Sequence, residues 1–324
     1  MDDKALSKAG VIINPKAGRG RGKGLALAEV LKQNPGRADV MVIRSFHDIE
    51  AALSRFASNG VTDIFISSGD GTIQFIQTWL AESGQFTSLP RLCLLPHGTT
   101  NMTAADLGFR RKSIADQASF IINVQPKDVQ VRHTVRVVNP KGRGALHGMF
   151  FGTGAVAEAT RYCQIAFNDR GVGGHFATFA TLASVLSKSV FLAPNANDPN
   201  RFDKPYPIRL CSKGQTLCDG KQLLMLATTL DKLILGAKPF WGGTSAPLRT
   251  TTMPYPVPNI PRWIVPSLYG AETRKGPPGS TSTSCQSCEV TCPTPFVIDG
   301  EFYDPPTDEP LRLEAGPSIE YISA

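Results

Sequence analysis

Three short segments of the 324-residue chain hold residue types suited to gripping phosphate. Asn14-Pro15-Lys16-Ala17-Gly18-Arg19-Gly20 follows the apolar run Val11–Ile13. Ser68-Gly69-Asp70-Gly71-Thr72 follows Ile64–Ser67, and Pro96-His97-Gly98-Thr99-Thr100-Asn101 follows Leu92–Leu95. Glycine has no Cβ and lets a backbone approach a phosphate closely. A helix that starts at such a turn adds free N–H groups and a partial positive charge. One such segment is an ordinary turn. Three of them, each after a strand, can face one crevice if the strands are parallel, because ligands bind outside the carboxyl ends of such strands. Two standard nucleotide motifs are missing. A Walker A loop would need glycine at Ala17 and a hydroxyl at Gly24, and the alternating glycines at 18, 20, 22 and 24 do not fit Gly-x-Gly-x-x-Gly.

The elements needed to position these turns are readable. Val11–Ile13, Val40–Ile43, Asp63–Ser67 and Leu92–Leu95 read as short buried strands, with helices expected over Leu25–Gln33, His47–Ser58 and Thr72–Ala81. Strands alternating with helices predict an α/β, Rossmann-like parallel sheet. Near residue 127 the pattern changes. Val129, Val131, His133, Val135 and Val137 alternate with polar residues, the period of a half-buried strand, and His133 reads as a satisfied core histidine. Helices are expected at Val156–Phe167 and His175–Ser187, and strands at Ile208–Cys211 and Leu223–Thr229, with Lys213-Gly214-Gln215 as a turn. This predicts a second, antiparallel β domain with a helical insert.

Residues 239–310 contain fourteen of the twenty-five prolines, so that stretch is expected to be mainly extended loop, with Phe296–Asp299 a short strand and Gly276–Ser284 mobile. Phe240-Trp241, Tyr255, Trp263-Ile264-Val265 and Tyr269 lie among these prolines. They suit either a lipid-facing lip or packing onto their own domain. The seven cysteines are an odd number, and the scattered four suit reduced thiols. Cys285-x2-Cys288-x3-Cys292 lacks a fourth ligand, since no histidine follows His175, and reads as a thiol loop rather than a zinc site.

Composition bounds the rest. With 41% hydrophobic and 19% charged residues the chain is globular, and no apolar run reaches the length of a membrane span. The N-terminus has no signal-peptide pattern, so a cytoplasmic protein is expected. The net charge of +7 favours phosphate-bearing partners, or is simply a solvated basic surface.

Taken in order, Asn14-Pro15…Gly18, Gly69-Asp70-Gly71-Thr72 and Gly98-Thr99-Thr100-Asn101 resemble the motifs of the diacylglycerol kinase catalytic-domain family. That family includes bacterial lipid kinases, sphingosine kinases and ceramide kinases, with NAD kinases as distant kin. The resemblance is closest over residues 10–108 and returns at Ile298-Asp299-Gly300-Glu301. It implies an ATP-binding α/β domain over 1–126, a β-sandwich lipid-substrate domain over 127–310, and a tail, 311–324, returning to the first domain through Ser318–Ser323. In the family the active site lies between the domains. It further implies ATP as co-substrate with Mg²⁺. Asn14, Gly18, Ser68, Gly69, Asp70, Gly71, Thr72, Gly98, Thr99, Thr100 and Asn101 would bind the nucleotide, and Asp70 the metal. Asp70, Asp299 and Glu301 would be catalytic, the last two sharing one strand face unless Gly300 kinks it; alone, Asp299-Gly300-Glu301 reads as a hairpin turn.

The implied function is transfer of the ATP γ-phosphate to a hydroxyl of a membrane lipid, either diacylglycerol or a ceramide or sphingoid lipid. The expected location is the inner face of the membrane, on an anionic surface, with no nucleic-acid partner and with homodimerisation left open. A soluble-substrate kinase of the NAD kinase type and a non-catalytic lipid or nucleotide sensor are the alternatives. The departures are specific: Ser68 begins the second motif as in sphingosine kinases, Phe75 replaces a glutamate, Met102 replaces an aspartate, and an Asp-Asp-Gly segment is not recognisable.

Overall fold

The computed structural model describes residues 8–20, 22–98, 102–107, 109, 111, 113–123, 128–170, 204–233, 236–269 and 276–323. The chain divides into two compact units, Met1–Arg132 with Pro317–Ala324, and His133–Gly316.

In the first unit, β1 (Ala9–Ile13), β2 (Ala38–Val42), β3 (Asp63–Ser67), β4 (Arg91–Leu94) and the end of the last strand of the chain, Leu311–Ser323, form a parallel sheet. Its order is β2-β1-β3-β4-last. Helices α1 (Lys23–Lys32), α2 (Phe46–Ser58) and α3 (Asp70–Glu82) are the crossovers. Two short helices follow, α4 (Met102–Leu107) and α5 (Ile114–Ile122). β1 and β3 are buried along their whole length because both faces of the sheet are covered, which is why they read as apolar runs without alternation. Val11, Ile13, Phe65 and Cys93 pack with Leu27, Leu31, Ala118 and Ile121 of α1 and α5. Where β3 carries a charge, Asp63, the fully buried carboxylate accepts a bidentate pair from Arg91 at 2.6 and 3.0 Å. Ser45 and Asp48 form a reciprocal cap at the start of α2. Asp48 is held below the usual carboxylate range, first by the Arg44 backbone N–H.

The second unit consists of two antiparallel sheets on one apolar cluster. One sheet carries β7 (Phe150–Gly154), β8 (Tyr206–Pro207), β11 (Lys221–Thr228), β12 (Leu248–Pro254), β13 (Thr281–Cys285), β15 (Phe296–Ile298) and β16 (Glu301–Tyr303). The other carries β9 (Arg209–Ser212), β10 (Gln215–Cys218), β14 (Ser287–Thr291) and the start of β17 (Leu311–Ser323), with β5 (Asp128–Val137) and β6 (Leu146–Gly148) alongside. Val135, Leu210, Val290 and Leu313 of the second sheet meet Phe151, Met225, Leu248 and Phe296 of the first. Lys213 and Gly214, at φ 50° and 74°, make the tight turn between β9 and β10, as their sequence suggests.

Several expectations need correcting. The proline-rich stretch carries short strands among irregular segments, as expected, but also a helix, Ile260–Tyr269, that was not, and its prolines lie at or between the ends of the strands. Pro254 ends β12, Pro293 and Pro295 separate β14 from β15, and Pro305, Pro306 and Pro310 separate β16 from β17. Thr281–Ser284 of the tract expected to be mobile belong to the strand Thr281–Cys285, whose partners Thr250, Thr251 and Thr252 are fully buried. Helix α6 (Ala155–Arg170) occupies the place expected for Val156–Phe167, whereas His175–Ser187 lies outside the described residues. In β5 the alternation is buried only toward its end: Val129 and Val131 are exposed. His133 is half-buried, with Nδ1 2.8 Å from the Gly316 carbonyl. Cys285, Cys288 and Cys292 are buried in the apolar cluster rather than held in a loop. Desolvation pushes the Cys292 thiol up to about 11.

The C-terminal strand returns to the parallel sheet at Tyr321, opposite Leu92, and the buried Tyr321 hydroxyl accepts from Gln77 Nε2 at 2.8 Å. Tyr321→Phe leaves that buried donor without its acceptor and is expected to lower stability by about 1–3 kcal/mol. Urea unfolding of the variant and the parent protein checks this.

Candidate nucleotide site

The strand order 2-1-3-4 places a topological switch point between β1 and β3, since the chain crosses from β1 to one side and then returns to the other. The first two glycine turns leave these two strands. Asn14, the residue after β1, joins them. Its N–H donates to the Ser67 carbonyl at 3.0 Å, and its Nδ2 donates to Thr72 Oγ1 at 3.3 Å. Its Oδ1 accepts from the Lys16 N–H at 3.0 Å, closing the local turn. Thr72 is buried, and by accepting from Asn14 it keeps its own hydroxyl hydrogen for an acceptor at the same edge.

Gly69 caps α3 with extended backbone, φ −89° and ψ 174°, and no side chain caps the first turn. The first intrahelical bond is made by the Ile73 N–H to the Gly69 carbonyl, so the Asp70, Gly71 and Thr72 N–H groups precede the helical ladder. Its chain neighbours aside, a Cβ on Gly69 would meet no atom of the described residues within 4 Å, so these leave the space in front of the helix open. Ser68 Oγ is buried there with no hydrogen-bond partner among the described residues. An open cradle, an orphaned hydroxyl and a helix N-terminus together fit a phosphate chain. Asp70 lies in the first turn of α3.

The third turn is tied to the same edge. His97 Nδ1 lies 2.7 Å from Ser67 Oγ. Gly18, at φ +60°, brings the first turn so near the His97 carbonyl that a Cβ there would collide with that oxygen. Burial depresses the His97 pKa to about 4, Lys23 adds to the effect, and the Gln117 side chain opposes it. Gln117 is near enough to favour the protonated ring, yet its Oε1 and His97 Nε2 complete no hydrogen bond. At neutral pH the ring is therefore uncharged and acts as a structural link. In the sequence His97 is only one residue of its turn, because nothing about Pro-His-Gly foretells a partner thirty residues earlier. Gly98 ends the described part of this turn; Thr99, Thr100 and Asn101 lie outside the described residues. Phe75, where the family pattern has glutamate, packs on Phe46 with ring centroids 5.0 Å apart.

In the second unit, Asp299 and Glu301 do not share a strand face. Asp299 and Gly300, at φ 48° and 92°, are the two central residues of a tight hairpin turn, and Ile298 pairs with Glu301. Both Asp299 oxygens are engaged: Oδ2 accepts from the Met149 N–H and Oδ1 from the Phe150 N–H, each at 2.9 Å. Gly300 contributes its carbonyl to Gln164 Nε2 at 2.7 Å. Glu301 is exposed at the first position of β16. Among the described residues, no group of three or more His, Cys, Asp or Glu side chains is placed to hold a metal ion. Magnesium on a nucleotide needs less, since one or two carboxylates and the phosphates themselves supply its ligands.

Residues 8–134 match the diacylglycerol kinase catalytic domain family model. Two solved structures from Bacillus anthracis str. Sterne, each provisionally named a diacylglycerol kinase, share 18% identity with the chain. They cover 99% of it and 98% of their own length, with TM-scores of 0.65 and 0.64. A third, of diacylglycerol kinases from the same organism, has 16% identity and a TM-score of 0.61. At these identities the structures establish the shared fold. No curated protein matches the sequence.

Two outcomes are expected. Gly18→Ala should lower the melting temperature and weaken nucleotide binding, whereas Gly69→Ala should fold normally, as thermal melts and ATP titrations of both variants would reveal. His97 contributes a pH dependence. Its folded pKa of about 4 lies below the ordinary value of 6.5, so the unfolded chain binds the proton first. Stability should be complete above pH 6.5 and fall as pH drops toward 4, by at most about 3 kcal/mol from this group. His97→Gln should flatten that slope in unfolding curves measured between pH 4 and 7.

Proposed function

We propose that this chain, whose residues 8–134 match the diacylglycerol kinase catalytic-domain family model, transfers the γ-phosphate of ATP to a hydroxyl of a membrane lipid. The single observation that carries the reading is the Asn14 link across the switch point. It sets an open helix N-terminus, Gly69–Thr72, beside a second glycine turn at the carboxyl edge of the sheet. Diacylglycerol is the acceptor class nearest to the family match, with a ceramide or sphingoid lipid as the other acceptor.

Phosphoryl transfer asks a protein for positioning, charge neutralisation and a base. In this reading the N–H groups of the first turn of α3, with the Ser68 and Thr72 hydroxyls, hold the phosphate oxygens. Gly18 and Gly98 complete the wall of the pocket. Asp70 would hold the magnesium ion that accompanies ATP, and that ion would neutralise charge on the phosphates. Glu301 takes the proton from the lipid hydroxyl as its oxygen forms the new bond to phosphorus and ADP leaves. Asp299, whose oxygens already accept two main-chain N–H groups, keeps the turn in shape and so positions Glu301.

A non-catalytic sensor is the second reading, favoured by Phe75, which puts an aromatic pair where the family pattern has an acid. Purified protein incubated with labelled ATP, Mg²⁺ and a panel of diacylglycerol, ceramide and sphingoid lipids separates the two. Labelled lipid supports the kinase, and ATP binding without any labelled lipid supports the sensor.

Within the kinase reading, Asp70→Ala should abolish transfer, and Glu301→Gln should lower kcat about 100-fold or more with little change in ATP affinity, as expected on losing a general base. Asp299→Asn sets an amide N–H₂ against a main-chain N–H. It should lower stability by about 1–3 kcal/mol, seen as an earlier thermal transition.

A further inference from the structure

Helix α7 (Ile260–Tyr269) of the second unit shows two large apolar side chains to solvent. Of its described side chains Ser267 is buried, its Oγ without a hydrogen-bond partner among the described residues, and Trp263, Ile264 and Leu268 are partly buried. Its outer face carries Arg262, Val265 and Tyr269, spaced i, i+3 and i+7, with Val265 60% and Tyr269 49% exposed. A helix on a water-facing surface ordinarily turns polar residues outward, and Val265 and Tyr269 depart from that arrangement.

The other aromatic residues of this stretch behave differently. Phe240 is buried, and the Trp241 N–H donates to Ser282 Oγ at 3.0 Å, so that pair packs onto its own unit. The helix itself is firmly held, since the Lys238 N–H donates to the Leu268 carbonyl at 2.6 Å. The apolar face is therefore presented on a fixed support.

Charge indicates what would cover it. The forty residues from Lys232 to Ala271 include Lys232, Lys238, Arg249 and Arg262 but no Asp or Glu. Arg249 is engaged by Asp231 at 2.6 Å, whereas Arg262 is exposed beside the apolar pair, its guanidinium 5.7 Å from the Trp263 ring centre. An exposed aliphatic and aromatic pair beside Arg262, in a stretch of sequence without acids, matches the boundary between lipid headgroups and acyl chains.

We infer that α7 is a docking element for an anionic lipid bilayer, with Val265 and Tyr269 entering the interface and Arg262 meeting lipid phosphates. The inference stands on the helix and its charge and does not require that the chain be a kinase.

The test is co-sedimentation of the full chain, without ATP or acceptor lipid, with vesicles of phosphatidylglycerol and phosphatidylcholine and with vesicles of phosphatidylcholine alone. Wild type should pellet with the anionic vesicles and much less with the neutral ones. Val265→Asp/Tyr269→Asp should cut the bound fraction about fivefold or more by removing the inserted apolar surface and adding repulsion. The milder pair Val265→Thr/Tyr269→Ser should lower it in the same direction with an unchanged melting curve, and Arg262→Gln should weaken binding to anionic vesicles only. Wild-type-like pelleting of both double variants, or equal binding of wild type to neutral and anionic vesicles, would overturn the inference. So would conversion of a dimer to a monomer by the double variants with vesicle binding intact, which would assign the face to a second copy. Binding to vesicles with no lipid phosphorylated in the separate assay would count against the kinase reading and not against this one.

Discussion

The account depends on one carboxamide. Asn14 leaves β1 at the point where the sheet changes direction, and with its main-chain and side-chain N–H groups it reaches both the end of β3 and the first turn of α3. Without that link, the two glycine turns would be independent loops. With it, they form one rim, and the Ser67–His97 contact fastens the third turn to the same rim. A phosphate site made of backbone amides needs this sort of enforcement, because the amides cannot adjust independently once the helix is formed.

The buried members of this rim are polar, and their environment sets their states. His97 remains uncharged because burial outweighs the Gln117 contribution, so the positive character of the site comes from helix geometry rather than from an imidazolium. In the second unit a similar economy governs the hairpin turn: Asp299 is committed to main-chain N–H groups, and Glu301 is left outward. Two carboxylates two residues apart therefore receive different surroundings from backbone conformation alone.

The parallel sheet was legible because β1 and β3 are buried on both faces, so their apolar runs and the glycines after them mark strand ends directly. The turns were legible for the same reason. The strands β12 and β13 of the proline-rich region were not, since their Thr-rich ladder has little apolar signal. Gly300 was the ambiguous residue at the late motif: the positive φ of Asp299 and Gly300 converts an apparent continuous strand into a two-residue turn. His97 could not be found from spacing, because its contact to Ser67 depends on the sheet being assembled. Helix α7 was hidden by Pro261 and Pro266, which read as loop although the first sits in the opening turn, where a missing N–H is tolerated.

The most direct measurement is a crystal of the protein grown with a non-hydrolysable ATP analogue. The account predicts phosphate oxygens within hydrogen-bonding distance of the Gly71 and Thr72 N–H groups, with the chain of phosphates lying over Gly69. An analogue bound away from the start of α3, with that turn facing only solvent, would contradict it.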